Sequence, residues 1–204
     1  MIPTPLIARV PRRFAGETVA CLGSGPSLCA EDVDALRGHA RVLAINDAYR
    51  LAPWADVLYA ADAKWWRWHK GVPGVRGQRY TIHPQPDAWP GLEVLRDTGR
   101  EGLELDPSGL RTGYTSGYQA INLAVHLGAS RILLLGYDLA GTHFFGQHPD
   151  QSVPPFDAAR VAFRWLIAPL EALGIPVVNC SRHTTLTAFP RVPLAQALAF
   201  EVAS

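Results

Sequence analysis

A chain of 204 residues, 48% hydrophobic and 18% charged, can bury one substantial core, and two full domains would be cramped. A formal net charge of +1 supplies no field to recruit nucleic acid or a membrane surface, so there is no strong nucleic-acid signal. The three cysteines, Cys21, Cys29 and Cys180, have no CxxC spacing and read as reduced thiols of a cytoplasmic protein. No membrane span is expected, because no apolar run approaches the ~18 residues that one needs. Met1-Ile2-Pro3-Thr4-Pro5 lacks the charged start of a secretory signal.

Residues 1–16, rich in Pro and Arg, read as an arm or edge segment, with Arg9, Arg12 and Arg13 as a solvated basic patch. Thr18–Leu22 predicts a strand that enters the turn Gly23-Ser24-Gly25-Pro26-Ser27, followed by a helix over Glu31–Leu36. Unpaired N–H groups at a helix mouth favour an anion, and Gly23 and Gly25 permit close backbone approach. Pro26 suits a first helical position because its missing N–H costs nothing there. Phosphate is the natural ligand of such a turn, and a plain strand-to-helix connection is the alternative.

Arg41–Ile45 predicts a buried strand ending at Asn46 and Asp47, then a short helix over Ala48–Leu51. Asp56–Ala60 is a further strand that stops before Asp62. Residues 65–112 form an irregular, Gly- and Pro-rich insert with short strands at Arg79–Ile82 and Leu92–Leu95. Lys64-Trp65-Trp66-Arg67-Trp68-His69-Lys70 interleaves tryptophans with cations. That stretch stacks a base, a sugar or a single strand, or it packs a core or an interface.

Ser116 is the expected cap of a helix over Gly117–Leu127 whose apolar face is Tyr118, Ile121 and Val125. Thr115-Ser116-Gly117 offers hydroxyls and N–H groups for an anion or a ribose, or it is a simple cap. Arg131–Gly136 predicts a fully buried strand ending at Tyr137 and Asp138. Residues 139–155 form a lid loop carrying His143 and His148, whose ordinary pKa near neutrality suits general acid or base work. Solvated loop histidines are the alternative, and the spacing matches no zinc site, so no metal site is assigned. Phe156–Leu173 reads as a helix with Phe163, Leu166, Leu170 and Leu173 inward, kinked or divided by Pro169. Ile175–Asn179 is the last strand, and Leu194–Phe200 a terminal helix.

Continuous apolar strands alternating with helices imply a mainly parallel sheet covered on both faces, with ligands at the carboxyl ends of the strands. Ser24, Asn46, Asp47, Asp62 and Asp138 fall at those ends, with Thr115 and Ser116 beside them. Leu28 stands where a dinucleotide fingerprint needs its third glycine, although Asp47 lies at a spacing that suits a ribose contact. No GxxxxGK[ST] loop occurs.

The ordered set GSGPSL, AIND, YAAD and TSGYQAINLAVHLGASRILLLGYDL resembles a Rossmann-like superfamily over residues 17–65 and 112–180. Its members include bacterial lipooligosaccharide sialyltransferases, motility-associated glycosyltransferases and archaeal 6-hydroxymethylpterin pyrophosphokinases. The chain is most similar to small members encoded in bacteriophage and prophage genomes. The resemblance implies one Rossmann-like three-layer α/β domain. In the sialyltransferases the glycine turn, the asparagine after the second strand and the TSG corner hold a cytidine nucleotide donor. Those positions are Gly23, Ser24, Gly25, Asn46, Thr115, Ser116 and Gly117 here, with Asp138 after the LLLGYD strand. A lid histidine is the general base there, and His148 in FFGQH is the nearest match. The sialyltransferases insert a much longer lid, so sialic acid specificity does not transfer.

The expected function is a nucleotide-dependent transferase, a small glycosyltransferase with a nucleotide-sugar donor and an unspecified acceptor. Donor phosphates lie on Gly23–Ser27. Asn46, Asp47, Asp62 and Ser116 orient ribose or base. His148, or failing that His143, deprotonates the acceptor, and Asp138 shapes the site or holds a cation. One alternative is a pyrophosphokinase using ATP and Mg²⁺ held by Asp62 and Asp138. The other is a non-catalytic phage accessory or morphogenesis protein that keeps the fold as a binding module. A homo-oligomer is compatible with either.

Overall fold

The computed structural model describes residues 6–83, 89–146 and 155–199. Strands β1 (Thr18–Leu22), β2 (Arg41–Ile45), β3 (Val57–Tyr59), β4 (Gln78–Thr81), β5 (Leu92–Val94), β8 (Arg131–Leu135) and β9 (Val177–Asn179) form one sheet in the order β5-β4-β3-β2-β1-β8-β9. Every neighbouring pair is parallel. A parallel sheet is roofed on both faces by its crossover helices, so its central strands carry no polar alternation. Val19 to Leu22 and Val42 to Ile45 are buried without a break.

The two faces bury different sets. Val19, Cys21, Leu43, Ile45, Ile132 and Leu134 pack against α3 (Ser116–Leu127), a 3-10 turn over Phe163–Leu166 and α5 (Ile167–Ala172). Ala20, Leu22, Val42, Ala44, Leu133 and Leu135 face α1 (Ala30–Asp34), α2 (Ala63–Trp68) and α6 (Leu194–Ala199). The protein is therefore a three-layer α/β domain. The chain runs outward from β1 through β2 to β5, then returns to β1's other side as β8. Connections leaving β1 and β8 diverge, which opens a crevice at their carboxyl ends.

β4 and β5, expected as short strands in the irregular stretch, are the sheet's outer strands on that side. A small parallel pair, β6 (Arg96–Asp97) with β7 (Gly109–Leu110), follows. The N-terminal arm is an edge segment: Ile7 bridges Val94, and Val10 and Phe14 are buried. Within its basic patch, Arg9 pairs with Asp106 at 3.1 Å and Arg13 bonds Gln78 at 3.0 Å. The expected helix over Glu31–Leu36 is α1, five residues starting at Ala30 with Cys29 in the cap position. Pro26 therefore lies in the turn before the helix and is not its first residue. The short helix after β2 is a 3-10 turn over Asn46–Arg50.

The helix expected over Phe156–Leu173 is α4 (Phe156–Ala162), the 3-10 turn and α5 in succession. Pro169 falls in the first turn of α5, where an N–H has no helical partner to lose. The break precedes it and shifts the helical phase, leaving Leu173, expected inward, 45% exposed. Thr115, not Ser116, caps α3, because its extended backbone (φ −146°) aims its hydroxyl at the N–H of Tyr118, 3.2 Å away.

Candidate functional site

A cavity of ≈ 410 Å³ opens in the crevice. Gly23 to Gly25 after β1, Asn46 after β2, Asp62 after β3 and Gly136, Tyr137, Leu139 and Ala140 after β8 line it. Thr115, Ser116 and Gly117 close the side formed by α3, and Thr142 and His143 lie on the loop above. Residues far apart in sequence meet here because parallel strands end on one edge.

The glycine turn does something other than cradle an anion. Gly23 N–H donates to Leu135 O at 2.7 Å and Gly25 N–H to Gly136 O at 2.9 Å. Ser27 donates its N–H and its hydroxyl to the two oxygens of Asp138, at 2.9 and 2.7 Å. The N–H groups of Gly23, Gly25 and Ser27 are thus engaged by the β8 end and by the protein's own carboxylate, and the Ser24 hydroxyl by Ile45 O, which leaves the Ser24 N–H as the turn's one N–H bonded to no group among the described residues. A Cβ on Gly23 would sit 2.5 Å from Gly136 O, and one on Gly25 2.4 Å from Asp138 Oδ1. Both glycines serve the close crossing of two loops. Pro26 and Ser27 lie outside the cavity lining, as does Asp138. Burial raises the Asp138 carboxyl above its ordinary value, opposed by the Ser27 hydrogen bonds.

The start of α3 also presents unpaired N–H groups to the cavity. Twelve residues of helix give it the longest dipole of the described helices, and Thr115 caps only the Tyr118 N–H. Ser116 and Gly117 N–H are bonded to no group among the described residues. Tyr137, buried beneath, donates its hydroxyl to Gly117 O at 3.1 Å. Burial raises the Tyr137 phenol well above its usual pKa, so it stays a donor at neutral pH. A Cβ on Gly117 would stand 3.0 Å from the Tyr137 ring, so glycine lets the helix start close on it.

Two non-glycine residues on the lining, Asn46 (φ 50°) and Leu139 (φ 48°), have left-handed backbones. Asparagine tolerates that conformation, whereas leucine pays a strain of order 1–3 kcal/mol, a pattern common where loops build a site. Asp47, the residue after Asn46, lies outside the lining. Asp47, expected to contact a ribose, is 1% exposed and accepts from Trp65 Nε1 at 2.8 Å. Asp62 remains on the lining while capping α2 through Lys64 N–H at 2.8 Å.

The tryptophan stretch divides by role. Trp66 is core and donates to Ala60 O at 3.0 Å. Trp65 is almost buried in the cavity wall, and Trp68, 40% exposed, stands on the rim. The His143 loop is closed by reciprocal bonds between His143 and Gly146 and docks through Phe144 N–H on Ser24 O at 3.1 Å. His148 lies outside the described residues. Tyr114, Tyr137 and Phe156 also line the cavity, although their residue types alone do not mark them as site residues. Tyr137 adjoins Asp138 in sequence, directly after the left-handed Gly136, and the structure places Tyr137 on the lining and Asp138 outside it.

A divalent cation between Asp62 and Asp138 does not fit this arrangement. Both Asp138 oxygens are held by Ser27, outside the lining, and no group of three His, Cys, Asp or Glu among the described residues could hold a metal. Among the described residues no helix is long and apolar enough to cross a membrane.

No family model matches the chain, and neither does any curated protein. Among solved structures its fold is similar to that of the MAf glycosyltransferase from Magnetospirillum magneticum AMB-1, with TM-score 0.65 at 16% identity. The match covers 98% of this chain and 37% of that one. The chain is thus a Rossmann-like α/β domain similar in fold to part of a glycosyltransferase.

Proposed function

We propose that the chain is a nucleotide-dependent transferase whose cavity takes a nucleotide-activated sugar. The observation that carries this reading is the α3 corner, two unengaged N–H groups at the mouth of a twelve-residue helix, opening on a switch-point cavity. Donor phosphate sits on Ser116 and Gly117. Ribose and base extend toward Asn46, Asp62 and the Trp65 and Trp68 wall. His143, on the lining, is the candidate general base, with His148, five positions further along the sequence, as the second candidate. The solved glycosyltransferase of similar fold supports this class of chemistry.

The test is thermal shift of the purified protein against nucleotides and nucleotide sugars, with and without Mg²⁺. A ligand at 100 times its dissociation constant stabilises the folded state by about 2.7 kcal/mol, several degrees in midpoint. Stabilisation by a cytidine or uridine nucleotide, abolished in Ser116→Trp, is the expected result and identifies the donor. Stabilisation by ATP only with Mg²⁺ transfers the assignment to pyrophosphoryl transfer. No shift with any of them overturns the nucleotide reading in favour of a binding module.

A further inference from the structure

Behind the cavity wall lies a cluster that the proposed chemistry does not use. Asp47 Oδ2 accepts the Trp65 indole N–H at 2.8 Å. Its Oδ1 lies 2.8 Å from Arg50 Nη2, an ion pair without the alignment of a hydrogen bond, and 3.5 Å from His69 Nε2. His69 also bonds the Tyr49 hydroxyl through Nδ1 at 2.9 Å and stacks on Trp65, centroids 4.3 Å apart. Tyr49 and Trp66 meet the Trp65 ring edge-on at 5.9 and 5.0 Å. The indole is thus held from several sides, with Asp47 fixing its N–H.

Arg50 carries the connection further. Its guanidinium lies 5.2 Å from the centre of the Phe145 ring, on the loop above the cavity. Phe145 is parallel to the His143 imidazole, 1° between planes and 5.0 Å between centres. An unbroken series of contacts therefore runs from Trp65 on one wall, through Asp47, Arg50 and Phe145, to His143 on the other side. A carboxylate this buried persists only when its charge is matched, so Asp47 and Arg50 hold each other in place. Asp47 also follows directly on the left-handed Asn46, which is on the cavity lining.

We propose that Asp47 is a positioning residue, which through Trp65 fixes the wall formed by α2 and through Arg50 and Phe145 sets the orientation of His143. Its functional weight rests on the nucleotide reading of the cavity, whereas its structural content does not. Nuclear magnetic resonance reads both arms without any ligand: the Trp65 indole N–H exchange rate and the His143 imidazole resonances, which a parallel Phe145 ring shifts.

In Asp47→Asn the indole exchanges ~10-fold faster or more and the His143 resonances move, because the charge holding both is gone. Arg50→Gln, at a half-exposed side chain, keeps the fold even if Asp47→Asn does not. It moves the His143 resonances and speeds the Trp65 indole exchange less than Asp47→Asn does, because the Asp47 oxygen that accepts the indole N–H is retained, and Arg50→Lys, which keeps a cation, restores both in part. Asp34→Asn, which removes the exposed Arg37 pair, moves neither set. His143 resonances identical to wild type in both Arg50→Gln and Asp47→Asn overturn the proposal. A titration with the most stabilising nucleotide follows, with ~10-fold weaker binding expected in Asp47→Asn. A wild-type protein that binds no nucleotide sinks the nucleotide reading, while the resonance shifts still decide the positioning role.

Discussion

Single atoms decide what the glycine turn is for. Two backbone N–H groups that invite a phosphate in the sequence are bonded to Leu135 and Gly136, and a third is bonded to Asp138. The carboxylate is the turn's anion. Gly23→Ala therefore costs about 3 kcal/mol, as overpacking against unyielding backbone does, with no selective effect on ligand binding. Chemical denaturation would check this, and a Gly23→Ala protein as stable as wild type would contradict the close loop crossing. Asp138 is legible as a strand-end acid, but its partner is not. Ser27 and Asp138 are separated by 111 positions, and nothing local reports that distance.

Among the elements, α3 joins the site to the small β6–β7 unit. Its polar residues do this. Asn122 accepts from Glu104 and Arg111 N–H, Gln119 donates to Thr112 O, and His126 Nε2 lies 2.9 Å from Gly109 O. Burial lowers the His126 pKa below its ordinary 6.5, opposed by the bond to Gly109. The folded state thus binds fewer protons at this site than the unfolded chain. Its contribution to stability is full above pH 6.5 and is lost as pH falls through the lowered folded value. Urea melts between pH 7 and pH 5 should show falling stability that is flatter in His126→Gln, and identical slopes would contradict it.

The same helix shows what the sequence makes readable. Its length, its apolar side and its stop at Gly128 follow from period and punctuation. Its cap shifts by one residue because Thr115 and Ser116 are equally competent by type, and backbone extension chooses between them. The polar seam escapes a reading by period, because Gln119, Asn122 and His126 look like a solvent face until β6–β7 covers them. Composition points to Pro169 as the break in the long helix, but a proline in a first turn disrupts nothing, and the break falls at 163–166.

For the whole molecule, strand order is the controlling fact. The reversal at β1 places the ends of β1, β2, β3 and β8 around one cavity; the alternation of apolar strands with helices anticipates the parallel sheet and its polar carboxyl edge, whereas the strand order comes from the structure. Which strand-end residues face the cavity is not legible, because left-handed residues, Asn46 and Gly136, stand at those ends and residue type does not report where the neighbours they precede will point. Buried thiols complete the interior. Burial pushes Cys21 up to about 12 and Cys180 to about 11, so both stay protonated and unreactive at neutral pH. On the proposed reading a nucleotide phosphate docks on α3 and not on the glycine turn. A crystal structure with the most stabilising nucleotide tests it directly. Phosphate oxygens within about 3.2 Å of Ser116 and Gly117 N–H, with the Ser27–Asp138 bonds intact, are the predicted result. Phosphate seated on Gly23–Ser27 with Asp138 displaced, or a nucleotide bound outside the cavity, would contradict it.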